Sequence, residues 1–250
     1  MATVPAAVPG SRSPDVRRWT GISAIAVAIT LVFEAATQFV AGGRPSLLDE
    51  TALENYFERH ADSTLVIAMT DTLLMSALII FLACFHQLMM AARPDLKWIA
   101  DVGFGAGLVW VGITVVGDAM SGGAALDAGE GHADATIIRG LIEGHALLFG
   151  GIGCVLTALV LASSGFLALS STVLPRWAGF FAYGAAILNL LAIPTIFGGM
   201  SETSLFSVGG WANAVLATFP WLLWVIIVGI LTIRGQRHHE RQRALAASPT

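Results

Sequence analysis

Arg139, Glu143 and His145 lie within Thr136 to Gly153, TIIRGLIEGHALLFGGIG, a stretch that is otherwise apolar. Ionisable side chains are costly inside a bilayer, so each one calls for a partner or a purpose. Three further hydrophobic stretches carry Glu34, Asp71 and Asp118. At about 1.5 Å of rise per residue, Glu34, Asp71 and Glu143 fall roughly 8 to 12 Å below one membrane boundary. Asn189 and Asn213 come out at comparable levels, and Asp118 at the mouth. Carboxylates gathered there against the single guanidinium of Arg139 would make an acidic site, suited to a proton, a metal ion or a small cation.

The helical wheel divides this set. Arg139 and Glu143 are four residues apart and share a face, so they can pair. His145 lies about 200° round from Glu143 and faces a different neighbour. Metal catalysis needs several His, Cys or carboxylate ligands converging in defined geometry. His145 is the best metal candidate, because His86 lies at the inner end of its helix and His60 and His132 lie in outer segments. A haem would want two histidines at matching depth, which His86 and His145 are not. Walker, dinucleotide-glycine, nucleophile-elbow and zincin patterns are all missing, so no cofactor is evident. Three readings follow: a site that binds or passes a proton or small cation, a structural or accessory subunit whose charges only fix helix packing, and an intramembrane metal-dependent hydrolase.

The elements that must position these residues are set by composition. The chain has 250 residues, 56% hydrophobic and only 12% charged, against about 25% charged in soluble domains. An all-α polytopic membrane bundle is the class this implies. Six stretches at about 19–40, 63–90, 98–120, 135–163, 174–198 and 208–233 are long enough to cross a hydrocarbon core. Residues 1–18 read as a disordered tail and 234–250 as a basic tail, leaving 19–233 as the membrane domain. Between the first two spans, 41–62 reads as an interfacial amphipathic segment, and 121–134 as a Gly-rich acidic loop. Gly103 with Gly107, and Gly140 with Gly144, have the spacing that lets helix backbones approach closely, within one bundle or between copies in a homo-oligomer. Trp19, Trp98, Trp177 and Trp211 fall at helix ends, as an interfacial belt requires. Cys84 and Cys154 sit in apolar stretches and read as free thiols.

Charge placement orients the bundle. With the amino terminus cytoplasmic, Arg12, Arg17, Arg18, Arg93, Lys97, Arg176 and the four arginines after residue 233 lie inside. Only Arg44, Arg59 and Arg139 lie outside. The positive-inside rule therefore predicts six crossings with both termini cytoplasmic. The tail RGQRHHERQR, directly after a membrane span, reads as an anchor at anionic lipid head groups rather than a nucleic-acid patch. Twelve arginines against the single Lys97, in an Ala- and Gly-rich chain, suggest a bacterial cytoplasmic membrane.

At SSGFLALSSTVLPRWAGFFAYGAAILNLL, Ser163 to Leu191, the chain resembles a family of bacterial six-helix membrane proteins catalogued only as a domain of unknown function. Members have an acidic residue late in the first helix, an Asp early in the second, a His in the fourth and a Pro-Arg turn into the fifth. Glu34, Asp71, His145, Pro175 and Arg176 are the matching positions, with ALSSTV inserted between Leu167 and Leu174. The resemblance implies the six-helix fold and no reaction.

Overall fold

The computed structural model describes residues 15–42, 44–131, 134–200, 204–208, 210 and 212–247. Among these residues the chain is helical, without strands. Six helices are long and apolar enough to cross a membrane: Val16–Ala41, Glu50–Ala92, Pro94–Gly129, Ala135–Ser170, Arg176–Phe197 and Val215–Gly235. We label the α-helices α1 (Val16–Ala41), α2 (Glu50–Ala92), α3 (Lys97–Gly129), α4 (Ala135–Leu147), α5 (Gly153–Ser170), α6 (Arg176–Ala192) and α7 (Phe219–Ala247). The first fourteen residues and Trp211 and His132 lie outside the described set. Arg17 and Arg18, read as the end of a tail, instead form the first turn of α1.

Short polar side chains start three of these helices. Asp15 accepts from the backbone N–H of Arg17 and Arg18, Asp49 from Ala52, and Asp134 from Thr136 and Ile137. Each satisfies donors that the first turn of a helix leaves without partners. A further donor at the start of α4, the Ala135 N–H, bonds to Glu54 Oε1 at 3.1 Å, which ties α4 to α2.

Two boundaries differ from the sequence expectation, for related reasons. The amphipathic segment does not stop before the second span. It is continuous with it in a 43-residue helix, bent at His60 (φ −117°, ψ 17°). The stretch after Met120 is not a loop as far as Gly129, because Ala124, Ala125 and Ala128 favour helix and pack tightly. These alanines are buried against Leu53, Phe57, Ile138 and Ile142. The start of α2, the end of α3 and α4 thus share a small apolar cluster at one end of the bundle. At the other end of the chain, α7 runs on to Ala247 rather than stopping at residue 233.

The main core lies among α1, α2, α3, α5, α6 and α7. Phe81 and Phe85 meet Trp224 edge to face at 6.1 and 5.4 Å, and Trp110 meets Trp221 in the same way at 5.8 Å. Such pairs add to the burial of their area. Gly103 lies against Ser163 of α5, and Gly107 against Leu82 of α2, so this glycine pair is used inside the bundle. Gly144 packs on Met120, whereas Gly140 faces open space.

Two features loosen the packing towards the same end as that small cluster. Every buried residue of α1 lies between Thr20 and Val27, so its second half leaves the core. The fourth span is interrupted by a wide π-helical turn at Leu148–Ile152, with Gly150 outside the helical region at ψ −109°. A second such turn, Asn213–Thr218, precedes α7. These interruptions face each other: a Cβ on Gly150 would stand 2.9 Å from Asn213 Nδ2.

The turn between α2 and α3 is held by charge. Arg93 pairs with Asp95 through two hydrogen bonds and also donates to the Ser170 carbonyl. His86 and Lys97 both bond to Asp101, at 2.9 and 2.6 Å. Trp19, Trp98 and Trp177 are all exposed at helix ends, where an interfacial belt would place them.

Candidate functional site

Four helices bring ionisable groups to a cavity of about 770 Å³. Glu34 comes from the part of α1 that leans away from the core, Asp71 from α2, Asp118 from α3 and His145 from α4. Asp71 and Asp118 are 6% and 5% exposed. The Asp71 carboxyl lies between the other two, within hydrogen-bonding reach of both Glu34 and Asp118 whenever one member of a pair carries a proton. Two ionised carboxylates cannot bond to each other without a proton or a cation between them.

The surrounding hydroxyls do not neutralise this cluster. Thr70 donates to the Val66 carbonyl at 2.8 Å, Thr72 to Ala68 at 3.0 Å and Thr114 to Trp110 at 2.9 Å, each within its own helix. Gln38 is the exception, because its Nε2 donates to Glu34 Oε1 at 2.7 Å one turn along α1. Asp118 Oδ2 and His145 Nδ1 are buried without a hydrogen-bond partner among the described residues. Buried polar atoms are nearly always paired, so an unpaired oxygen on Asp118, a residue of the cavity wall, needs an explanation.

His145 is placed by a close approach of backbone. A Cβ on Gly117 would lie 3.2 Å from its Nδ1, so a residue without one allows the ring to sit against α3. The imidazole also stacks on Phe149, one turn later, with centroids 5.7 Å apart.

Arg44 was not among the residues that sequence reasoning singled out. It lines the cavity from the α1–α2 connection, together with Tyr56 and Phe57. Gly42 ends α1 with φ +82° and its N–H on the Gln38 carbonyl, which turns the chain back over the mouth. The cue was available in GGRPS, where an arginine follows two glycines and precedes a proline. The wall therefore carries three carboxyls, one guanidinium and one imidazole.

The remaining sequence candidates go elsewhere. Arg139 Nε and Glu143 Oε1 pair at 2.8 Å along α4, with 45% and 34% of their side chains exposed, and neither lines the cavity. Asp118, expected at the mouth, lies about three turns inside α3, because that helix continues to Gly129. Asn189 belongs to an adjoining chamber of about 260 Å³. Its Oδ1 accepts from Thr157 at 2.6 Å, and its Nδ2 donates to the carbonyls of Ala185 and Ala217. Such a saturated amide holds helices together.

Among the described residues no group of three or more His, Cys, Asp or Glu side chains has the geometry to hold a metal ion. Cys84 and Cys154 are free thiols. The chain matches no protein-family model, no curated protein and no solved structure.

Proposed function

We propose that this multi-pass membrane protein binds or passes a proton or small cation at Glu34, Asp71 and Asp118, with His145 and Arg44 bounding the site. The observation that carries the reading is Asp118, a 5% exposed carboxylate with a partnerless oxygen, on the wall of an open cavity and beside a second buried carboxylate. Groups so arranged bind a cation at little cost in rearrangement, since the carboxyls are already gathered and desolvated. A purely structural cluster would instead satisfy each carboxylate with a protein donor, as Asn189 is satisfied.

The cavity lies in the outer half of a bundle whose two termini are cytoplasmic, in a bacterial cytoplasmic membrane. Ten of the thirteen basic residues then lie inside, in accord with the positive-inside rule. Exposed Arg234 and the arginines that follow it anchor the end of α7 at anionic head groups.

The test uses the full chain in proteoliposomes loaded with a pH-sensitive dye and challenged with methylammonium or alkali cations. Cation-dependent proton movement is expected from the wild type, and its loss from Glu34→Gln and Asp71→Asn at unchanged protein level. No cation or proton response from a folded wild type removes the reading. Failure of both variants to accumulate makes the carboxyls structural.

A further inference from the structure

The chamber beside the acidic cavity differs from it in chemistry. Both share Glu34, Ala35, Gln38, Asp71 and Phe149 as walls, so the carboxyls of Glu34 and Asp71 stand at the boundary between the two. Beyond that boundary the lining is mostly apolar, with Leu31, Leu74, Trp110, Trp221 and Leu222 beside the mutually bonded Thr157 and Asn189. A small hydrated cation has no use for such a surface, whereas a hydrocarbon chain attached to a cation does.

The chamber also has a route to the lipid. Helices α1 and α7 meet closely at one end, where Gly21 lies against Ile233 and Gly229 against Ala24. Past Val27 no residue of α1 is buried. The outer rim of the chamber is formed by exposed Ala35 on α1 and by Phe219, 57% exposed, on α7. A molecule already dissolved in the bilayer can enter sideways between these helices.

We propose that the two chambers together form a site for a single-chain alkylammonium amphiphile, with its protonated amine at Glu34, Asp71 and Asp118 and its chain among Trp110, Trp221 and Leu222. The inference rests on the cation site proposed above and names the class of its ligand. An ammonium head offers three donors to three carboxyls, of which Gln38 serves only Glu34. Arg44, which also lines the acidic cavity, disfavours a second positive head by like charge.

The experiment is equilibrium dialysis of tritiated n-octylamine and tritiated methylamine against the full chain in nanodiscs, with partition into lipid subtracted using excess unlabelled amine. Each methylene moved from water into an apolar chamber adds roughly fourfold in affinity, so octylammonium is expected to bind saturably and at least about tenfold tighter than methylammonium. Leu31→Trp, at a partly buried wall of the apolar chamber that does not line the acidic cavity, fills part of the space for the chain. It is expected to remove most of the chain-length gain while leaving methylammonium binding within about twofold of wild type. Equal affinity for the two amines overturns this inference and leaves the cation site standing. A gain that survives Leu31→Trp takes the chain out of this chamber and also overturns it. Saturable binding of neither amine removes the cation site as well.

Discussion

The imidazole of His145 on α4 stands with Nδ1 4.0 Å from Asp118 Oδ1 on α3. That gap is too wide for a direct hydrogen bond and suits a bridging water or a bound cation. The side-chain carboxylate is 7% exposed and its other oxygen has no partner, so the pair is held open at the cavity wall rather than closed into a contact. An open pair of this kind can accept a ligand without first losing an internal bond.

Gly117 controls that gap. In the interior of a helix, Ala in place of Gly is worth roughly 0.5–1 kcal/mol. A methyl at this position, however, lies 3.2 Å from His145 Nδ1 and crowds the ring. Gly117→Ala is therefore expected to leave thermal stability in detergent near wild type while weakening cation binding several-fold. Gly117→Val overpacks the site and costs about 1–3 kcal/mol. Melting curves beside binding isotherms separate the two effects.

Asp118 itself should trade stability for binding. A buried polar atom without a partner costs on the order of 1–3 kcal/mol. Replacing the carboxylate by a side chain of similar size without charge, Asp118→Leu, is expected to raise the unfolding temperature and to abolish cation-dependent proton movement. A drop in stability instead would mean that Asp118 is paired in the folded protein. Denaturant unfolding followed by tryptophan fluorescence reports the sign.

Arg139 and Glu143 should behave differently, although their sequence context looked similar. The pair is an i, i+4 contact with both side chains at least a third exposed. Exposed pairs of this kind contribute about 0.2–1 kcal/mol. A double-mutant cycle with Arg139→Ala and Glu143→Ala is expected to return a coupling within that range. Cation responses should remain at wild-type level in both variants, because neither side chain reaches the cavity.

These contrasts mark what can be read from one chain. Glu34, Asp71, Asp118 and His145 stand out because each interrupts an apolar stretch, where an ionisable group is conspicuous whatever it does. Depth follows from rise per residue, but the direction a side chain faces depends on where the neighbouring helices lie. Arg139 and Glu143 show the difference: their level could be counted, while their placement off the cavity wall could not. Arg44 was hidden for another reason. It lies in a short Gly- and Pro-rich connection with no helical period, and only the turn at Gly42 carries it over the cavity. The ends of α2 and α3 were obscured because alanine-rich helix that overshoots a membrane has the same composition as a small-residue loop until Leu53, Phe57, Ile138 and Ile142 are seen to cover it.

Asn189 provides the control for a polar residue that is structural. Its amide accepts from Thr157 and donates to two carbonyls, Ala185 on its own helix and Ala217 in the π-helical turn before α7. Asn189→Ala leaves the Ala217 carbonyl without this donor and opens space beside the apolar chamber. Breaking a buried network of this kind costs about 1–3 kcal/mol per orphaned group, so a clear fall in unfolding temperature is expected. Methylammonium binding should survive, because the carboxyls lie on α1, α2 and α3 and Asn189 touches none of them. Loss of methylammonium binding in a variant that still melts cooperatively would instead place Asn189 within the cation site and require that site to extend into the second chamber.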